Sequence, residues 1–427
     1  MIARAWRSLR NRVLPRFTYR YEPFGGVLMF EKPALLVTGD RAWMRSLGLD
    51  GGARWKGTEA EASVAVPRMS APIEAHLALT NACTAGCSHC YQSSGDPMPG
   101  ELGREGMLAL VDSLADAGVF HVALGGGESF LLPWLFDVAE RARERGMVPN
   151  VTTSGLVMSE EIARRCIVFG RVNVSLDGTD PEGYGEFRRA ESFPKVERAV
   201  AMLTKHHKHV GVNTVVTRRN ADHLEKIVAW ADSAGLDEVE FLRLKPAGRG
   251  SDAWWDHRPT EEQNRALLPR LLALRRRNPR ISLKVDCSFA PMVAALGTDP
   301  EVLSFFSVLG CEGGDYLVGI DAAGRAKPCS FEHDAEGGNK IPAMELSTRW
   351  NDPATFPEYR GYSSAPPEPC ASCVHQRVCR GGCRVVAKFV TGDARAPDPE
   401  CPRVLEWRRS HPDSPRATPR LPILGFG

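Results

Sequence analysis

The sequence predicts an α/β protein: a partial (βα)6 TIM-like barrel, with a short N-terminal extension before it and a loop-rich, cysteine-dense domain after it. Two observations predict this. Six β-branched, apolar runs alternate with helix-period stretches between residues 76 and 245, and such alternation signals parallel βαβ units. The rhythm then breaks after Pro291, where Gly and Pro accumulate, and eight of the 12 cysteines fall from Cys287 to Cys401. A segment so rich in loops buries too little apolar surface to fold unaided, so bound metal is expected to organise it.

Strands are expected over 76–80, 120–124, 148–153, 171–176, 210–217 and 238–245, and helices over 104–117, 133–145, 160–169, 194–205 and 222–234. Right-handed crossovers wind such units in one sense. Active sites on these sheets lie at the carboxyl ends of the strands, so the loops that follow them are where chemistry is expected. Ahead of the barrel, Ile2, Trp6, Leu9 and Val13 recur at helical spacing among arginines, the pattern of a basic amphipathic helix. Gly25 to Thr38 alternates like a strand, and a short helix is expected around Trp43. The chain thus divides into an extension (1–70), a barrel (71–285), a cysteine domain (286–405) and an Arg- and Pro-rich tail (406–427).

Composition narrows the class. Of 427 residues, 43% are hydrophobic and 25% charged, which excludes wholesale disorder. The 54 basic and 52 acidic residues nearly cancel, so no nucleic-acid partner is expected. No run approaches the ~20 apolar residues of a membrane span, and the arginine-strewn N-terminus lacks the apolar core of a signal peptide. The expected compartment is the cytoplasm, where many cysteines mean metal or thiol chemistry rather than disulfides.

The spacings choose between those. Cys83-Thr-Ala-Gly-Cys87-Ser-His89-Cys90 falls in the loop after the first barrel strand. Structural 4Fe–4S clusters take four cysteines; three would leave one iron open to a ligand, as a catalytic zinc keeps an unfilled position. Ordinary loop cysteines, or a zinc site with a remote fourth ligand, are the alternatives.

The C-x3-C-x2-C motif in this position resembles the radical S-adenosylmethionine (radical SAM) superfamily. The resemblance implies that Cys83, Cys87 and Cys90 hold a 4Fe–4S cluster whose open iron chelates SAM, which is cleaved reductively to a 5′-deoxyadenosyl radical. Further segments are similar to the family in the same order. Gly126, Gly127 and Glu128 of Gly125-Gly-Gly-Glu128 follow the second strand like the Gly-Gly-Glu-Pro motif, whose edge pairs with the methionine ammonium. Ser129 replaces the proline, a departure expected to loosen that loop. Ser154 closes the third strand, and Ser175 and Asp177 the fourth, where the family contacts ribose and methionine. Arg188 resembles an arginine that pairs with the methionine carboxylate, with Arg189 beside it as the alternative; a guanidinium fork suits that ligand. His89, inside the cysteine loop, joins this cofactor-binding set.

Cys311, Gly324, Cys329, Cys370-x2-Cys373-x5-Cys379-x3-Cys383 and Cys401 resemble the seven-cysteine pattern of the SPASM domain. The resemblance implies two auxiliary 4Fe–4S clusters, making three in all. Cys370, Cys373, Cys379 and Cys401 would bind the outer one; Cys311, Cys329 and Cys383 would bind the inner one. Cys287 is the candidate fourth ligand there, an open iron being the alternative, and a pair of zinc knots is the other reading of the whole set.

SPASM-bearing enzymes mostly act on peptides, and Tyr21-Glu-Pro-Phe-Gly-Gly26 resembles the start of a small peptide-binding domain that captures leader peptides by strand addition. The expected function is oxidative maturation of a ribosomally made peptide by crosslink, thioether or decarboxylation. The expected partners are a peptide, with a leader, and a low-potential electron donor such as flavodoxin or ferredoxin. Two other readings remain: oxidation of a small molecule such as a tetrapyrrole side chain, and a non-catalytic iron–sulfur protein that binds peptide or transfers electrons. Ser330 follows Cys329 where sulfatase-maturing relatives carry an aspartate base, so any base must be another residue, Glu332 and Asp334 being near in sequence.

Overall fold

The computed structural model describes residues 17–31, 35–55, 69–294, 309–333 and 340–412. Three strands come first. β1 (Phe17–Glu22), β2 (Gly25–Phe30) and β3 (Leu35–Asp40) form an antiparallel sheet in that order. The stretch expected as one strand is therefore two, β2 and β3. β1 was not expected at all, although Phe17, Tyr19 and Tyr21 alternate along it. The helix around Trp43 spans Arg41–Ser46, and the Asp40 side chain caps it by accepting from the Trp43 N–H. Arg20 fastens this sheet to the rest of the protein, donating to the carbonyls of Ala71, Pro72 and Gly118 at 2.7–2.9 Å. The helix read over Ile2 to Val13 and most of the tail lie outside the described residues.

All six expected barrel strands are present: β4 (Glu74–Thr80), β5 (His121–Gly126), β6 (Val148–Thr153), β7 (Val172–Ser175), β8 (Val210–Val216) and β9 (Glu238–Arg243). They pair in sequence order and in parallel. Their period-2 pattern sends Ala75, Leu77 and Leu79 of β4 outward into the core shared with the helices. Glu74, His76, Asn150, Asn173, Asn213 and Glu240 fall on the opposite face, so the barrel interior is polar. The helix Gly103–Asp116 answers with Met107, Leu110, Val111 and Leu114, an i, i+3, i+4, i+7 stripe that is wholly buried.

The sheet continues beyond the expected six. β10 (Ser282–Val285) lies parallel beside β9, and β11 (Leu317–Ile320) parallel beside β4, with Leu317 opposite Glu74. β12 (Arg325–Lys327) and β13 (Ile341–Pro342) extend that end antiparallel, giving ten strands. The cysteine-rich segment thus contributes strands to the barrel's own sheet. A 17-residue helix, Glu261–Arg277, also went unread. Its arginines and internal Pro269 mask the stripe Leu267, Leu268, Leu271 and Leu274, but Thr260 and Gln263 form a capping box that marks its start.

Candidate active site

The loop after β4 carries Cys83, Cys87 and Cys90 at the carboxyl mouth of the barrel. The chain enters it beneath the β5 loop, where the Gly127 N–H donates to the Thr80 carbonyl at 2.7 Å and the Glu128 N–H to the Ala82 carbonyl at 2.8 Å. This contact is why glycines stand there: a Cβ on Gly127 would meet the Ala82 oxygen at 2.1 Å, and one on Gly126 the Thr80 oxygen at 2.5 Å. Ser129 does not loosen the turn as its replacement of proline suggested. Its hydroxyl is fully buried and donates to the Gly125 carbonyl at 3.0 Å, tying the loop to itself.

Glu128 reaches across to the end of β6. Its buried carboxylate accepts from the Thr153 hydroxyl at 2.8 Å, the Ser154 N–H at 2.8 Å and the Ser154 hydroxyl, so the structure brings Glu128 and Ser154 together. Asp177, after β7, is the other hub. It takes the Arg188 Nε at 2.6 Å and faces His89 Nε2 at 3.3 Å. Burial opposes ionisation of Asp177, but Arg188 and His89 outweigh it and hold the carboxyl well below the usual range. Arg188 also donates toward Cys87 Sγ at 3.4 Å, whereas Arg189 lies across Gly86. Ser175 stays within the barrel, paired in register with Asn213.

These residues frame a site whose donors fit the implied cofactors. Buried His89 Nδ1 has no partner within the protein, the mark of a polar atom awaiting a ligand. Burial raises the Cys83 and Cys87 thiols, with Arg188 pulling Cys87 back down, so iron would have to claim the thiolates. The loop is held from a direction that the sequence did not announce. Arg249, in the Gly248-Arg-Gly250 turn after β9, donates to the carbonyls of Cys87 at 2.9 Å and Ser94 at 2.8 Å, and its own N–H reaches the Cys90 carbonyl at 3.0 Å. A Cβ at Gly248 would strike the Tyr91 carbonyl at 2.4 Å. Replacing Arg249 by alanine strands two carbonyls, at about 1–3 kcal/mol of local stability. The expected result is iron lost selectively from this loop, read by iron content and the electronic spectrum after anaerobic reconstitution.

In the second cysteine set, Cys370, Cys373, Cys379 and Cys401 line one cavity together with Pro291, Asp398 and Arg403. Among the described residues, no three Cys, His, Asp or Glu side chains converge tightly enough to grip a single ion. Four thiols around a cavity suit a multi-iron cluster. On the barrel side, Cys311 and Cys383 lie near enough to Cys329 that their charge adds to the burial lifting its thiol to about 12. Cys311 acts likewise on Cys287, which opens the turn after β10. Lys245, buried at the end of β9, pairs with Asp286 and sits 4.1 Å over Phe331. Phe331 in turn packs on Tyr91, ring centroids 4.4 Å apart, and so links the two cysteine sets.

A parallel barrel with such a loop defines an enzyme class, and the chain belongs to the radical SAM superfamily, whose family description matches residues 77–231. Members use SAM and a 4Fe–4S cluster. Among curated proteins, the chain is 33% identical to mycofactocin maturase MftC of Mycolicibacterium smegmatis over 358 residues, covering 82% of this chain and 88% of the relative. It is 26% identical to the AdoMet-dependent heme synthase of Methanosarcina barkeri over 340 residues, covering 76% and 94%. Among solved structures, it shares its fold with Streptococcus suis SuiB bound to precursor peptide SuiA, with a TM-score of 0.68 at 16% identity, covering 90% of this chain and 98% of that one. Among the described residues no helix is long and apolar enough to cross a membrane.

Proposed function

We propose that the protein matures a ribosomally made peptide by oxidative modification: a crosslink, a thioether or a decarboxylation. The observation that carries this reading is the N-terminal sheet docked beside the barrel. Its outer strand β3 pairs only with β2 among the described residues and leaves Leu35 and Leu36 exposed, which offers a ladder edge to a leader peptide. The likeness to a maturase and to a peptide-bound fold supports it.

In this reading Cys83, Cys87 and Cys90 hold the cluster that, with SAM bound, supplies the 5′-deoxyadenosyl radical. Arg188 and His89, fixed by Asp177, and Ser154, fixed by Glu128, position the SAM. Ser175 and the Gly126–Gly127 edge complete that pocket. Cys370, Cys373, Cys379 and Cys401 hold an outer cluster, and Cys311, Cys329, Cys383 and Cys287 an inner one, three clusters in total. A flavodoxin or ferredoxin in the cytoplasm would supply low-potential electrons. Hydrogen return from a cysteine, as epimerisation requires, is disfavoured: Cys166 is fully buried in the helix-side core.

The 26% identity to a heme synthase favours a second reading, oxidation of a small molecule. Anaerobic co-expression with short peptides encoded beside the gene separates the two. A mass loss of two hydrogens, or one matching formic acid or carbon dioxide, is expected for a peptide substrate. Unaltered peptides alongside steady deoxyadenosine formation would give the second reading the lead.

A further inference from the structure

Of the routes just proposed, closing a crosslink or thioether needs an acceptor for a proton, whereas decarboxylation releases carbon dioxide instead. Glu332 is buried and occupied, accepting from the Tyr359 hydroxyl at 2.8 Å and pairing with Lys388 at 3.4 Å. Asp334 lies outside the described residues. Ser330, which stands in the aspartate's place, is instead engaged from inside the barrel. Its Oγ lies 3.1 Å from His76 Nδ1, and His76 Nε2 lies 3.2 Å from Glu74 Oε1.

We infer that Ser330, His76 and Glu74 form a proton relay that carries away the proton released when the substrate radical is oxidised. The inference rests on the maturase reading above. In the resting arrangement Glu74 accepts from Nε2–H, which fixes the tautomer and leaves Nδ1 to accept from the Ser330 hydroxyl. This is the logic by which a carboxylate orients an imidazole and stabilises the imidazolium that forms.

The location suits the role. His76 and Glu74 share the inward face of β4, each with 36% of its side chain open to the barrel interior. Ser330 is held where the cysteine domain crosses β11, so close that a Cβ on Gly319 would meet its N at 2.6 Å. Its neighbour Phe331 touches Tyr91 of the Cys83–Cys90 loop. The hydroxyl therefore sits where the barrel interior, the SAM-binding loop and the inner cysteines meet.

The step balances. A substrate C–H bond breaks and its hydrogen atom passes to the deoxyadenosyl radical, giving deoxyadenosine and a carbon radical. That radical would lose one electron to an acceptor of the iron–sulfur class, and a neighbouring N–H, O–H or S–H of the substrate would give its proton to Ser330 Oγ. The serine's own proton moves to His76 Nδ1, and the substrate, two hydrogens lighter, closes its new bond.

Electrostatics agree with an acceptor. Burial opposes protonation of His76, but Glu74, with Glu240 of β9 and Glu312 before β11, outweighs it and raises the imidazole above its ordinary value. Its neutral, accepting fraction accordingly grows as pH rises through that raised value. Glu240 is itself pushed up to about 7, mainly by burial, so its own titration is removed by comparing the two pH slopes.

The experiment measures modified peptide per deoxyadenosine formed, by mass spectrometry, in wild type, His76→Gln and Ser330→Ala, each reconstituted anaerobically to equal iron content. General-base losses run to about 10²–10⁴-fold. We expect the ratio to fall at least about tenfold in both variants, and the rise of the ratio with pH to flatten in His76→Gln. A smaller fall, or a pH slope unchanged in His76→Gln, overturns the relay. Should His76→Gln not hold its clusters, Ser330→Ala decides alone, because it leaves the barrel interior intact. Wild type that cleaves SAM but modifies no peptide fails the maturase reading instead, and takes the relay with it.

Discussion

Replacing Cys83, Cys87 and Cys90 together by alanine is expected to abolish deoxyadenosine formation while leaving the second cysteine set loaded. Among the described residues, the cavity lined by Cys370, Cys373, Cys379 and Cys401 includes none of the three. Iron content should fall by about four atoms per chain, one cubane's worth, and the remaining charge-transfer absorption should persist. The loss of SAM cleavage should be complete, because no other described cysteine lies in that loop. Continued SAM cleavage by the triple variant would remove the assignment of this loop.

The second large effect concerns Arg243. Its guanidinium is almost wholly buried and forks onto Asp398 at 2.6 and 3.0 Å and onto Glu400 at 2.7 Å, while also reaching the Ser288 carbonyl at 2.9 Å. Asp398 in turn accepts from the Cys383 N–H at 2.9 Å, between the two cysteine groups. Arg243→Met would leave buried Asp398 without its counter-charge and Glu400 with Arg258 alone, a loss of about 3–5 kcal/mol. The expected result is a lowered unfolding temperature and loss of auxiliary-cluster iron, with the Cys83–Cys90 loop still loaded. Adding Asp398→Asn and Glu400→Gln should recover part of the stability, because neutral amides remove the uncompensated charge while an amide oxygen can still accept from the Cys383 N–H. A single variant as stable as wild type would show that the network is not what fastens the domain.

Much of the barrel was legible because its strands and helices carry strong, opposite periodicities, and each of the six expected strands lies within a few residues of its place. The cysteine spacings were legible for a different reason: metal ligands in loops leave a covalent pattern that needs no packing to read. What stayed hidden depends on partners far away in sequence. β10 and β11 are four residues each and gain their identity from β9 and β4. Nothing local in the sequence marks Arg249, and only the fold brings it to Cys87. His76 read as a polar residue in a strand, and nothing local ties it to Ser330. The glycines of the Gly125–Glu128 stretch were legible as a motif but not as a cause. At Gly126 and Gly127 the absent side chains make room first for the backbone of residues 80–82 rather than for a ligand, whereas a Cβ on Gly125 would meet nothing within 4 Å.

The seam between β4 and β11 has a consequence for the order in which the protein is made. β4 emerges early from the ribosome, with the Cys83–Cys90 loop directly behind it, yet one flank of β4 waits for Leu317–Ile320 to be synthesised. Until then the nascent chain exposes an apolar strand edge of the kind that templates association with other chains. A product truncated before β11 would keep that exposed edge permanently, even with every residue of the barrel present. The strand that carries the Cys83–Cys90 loop is in this sense completed only by a segment made much later.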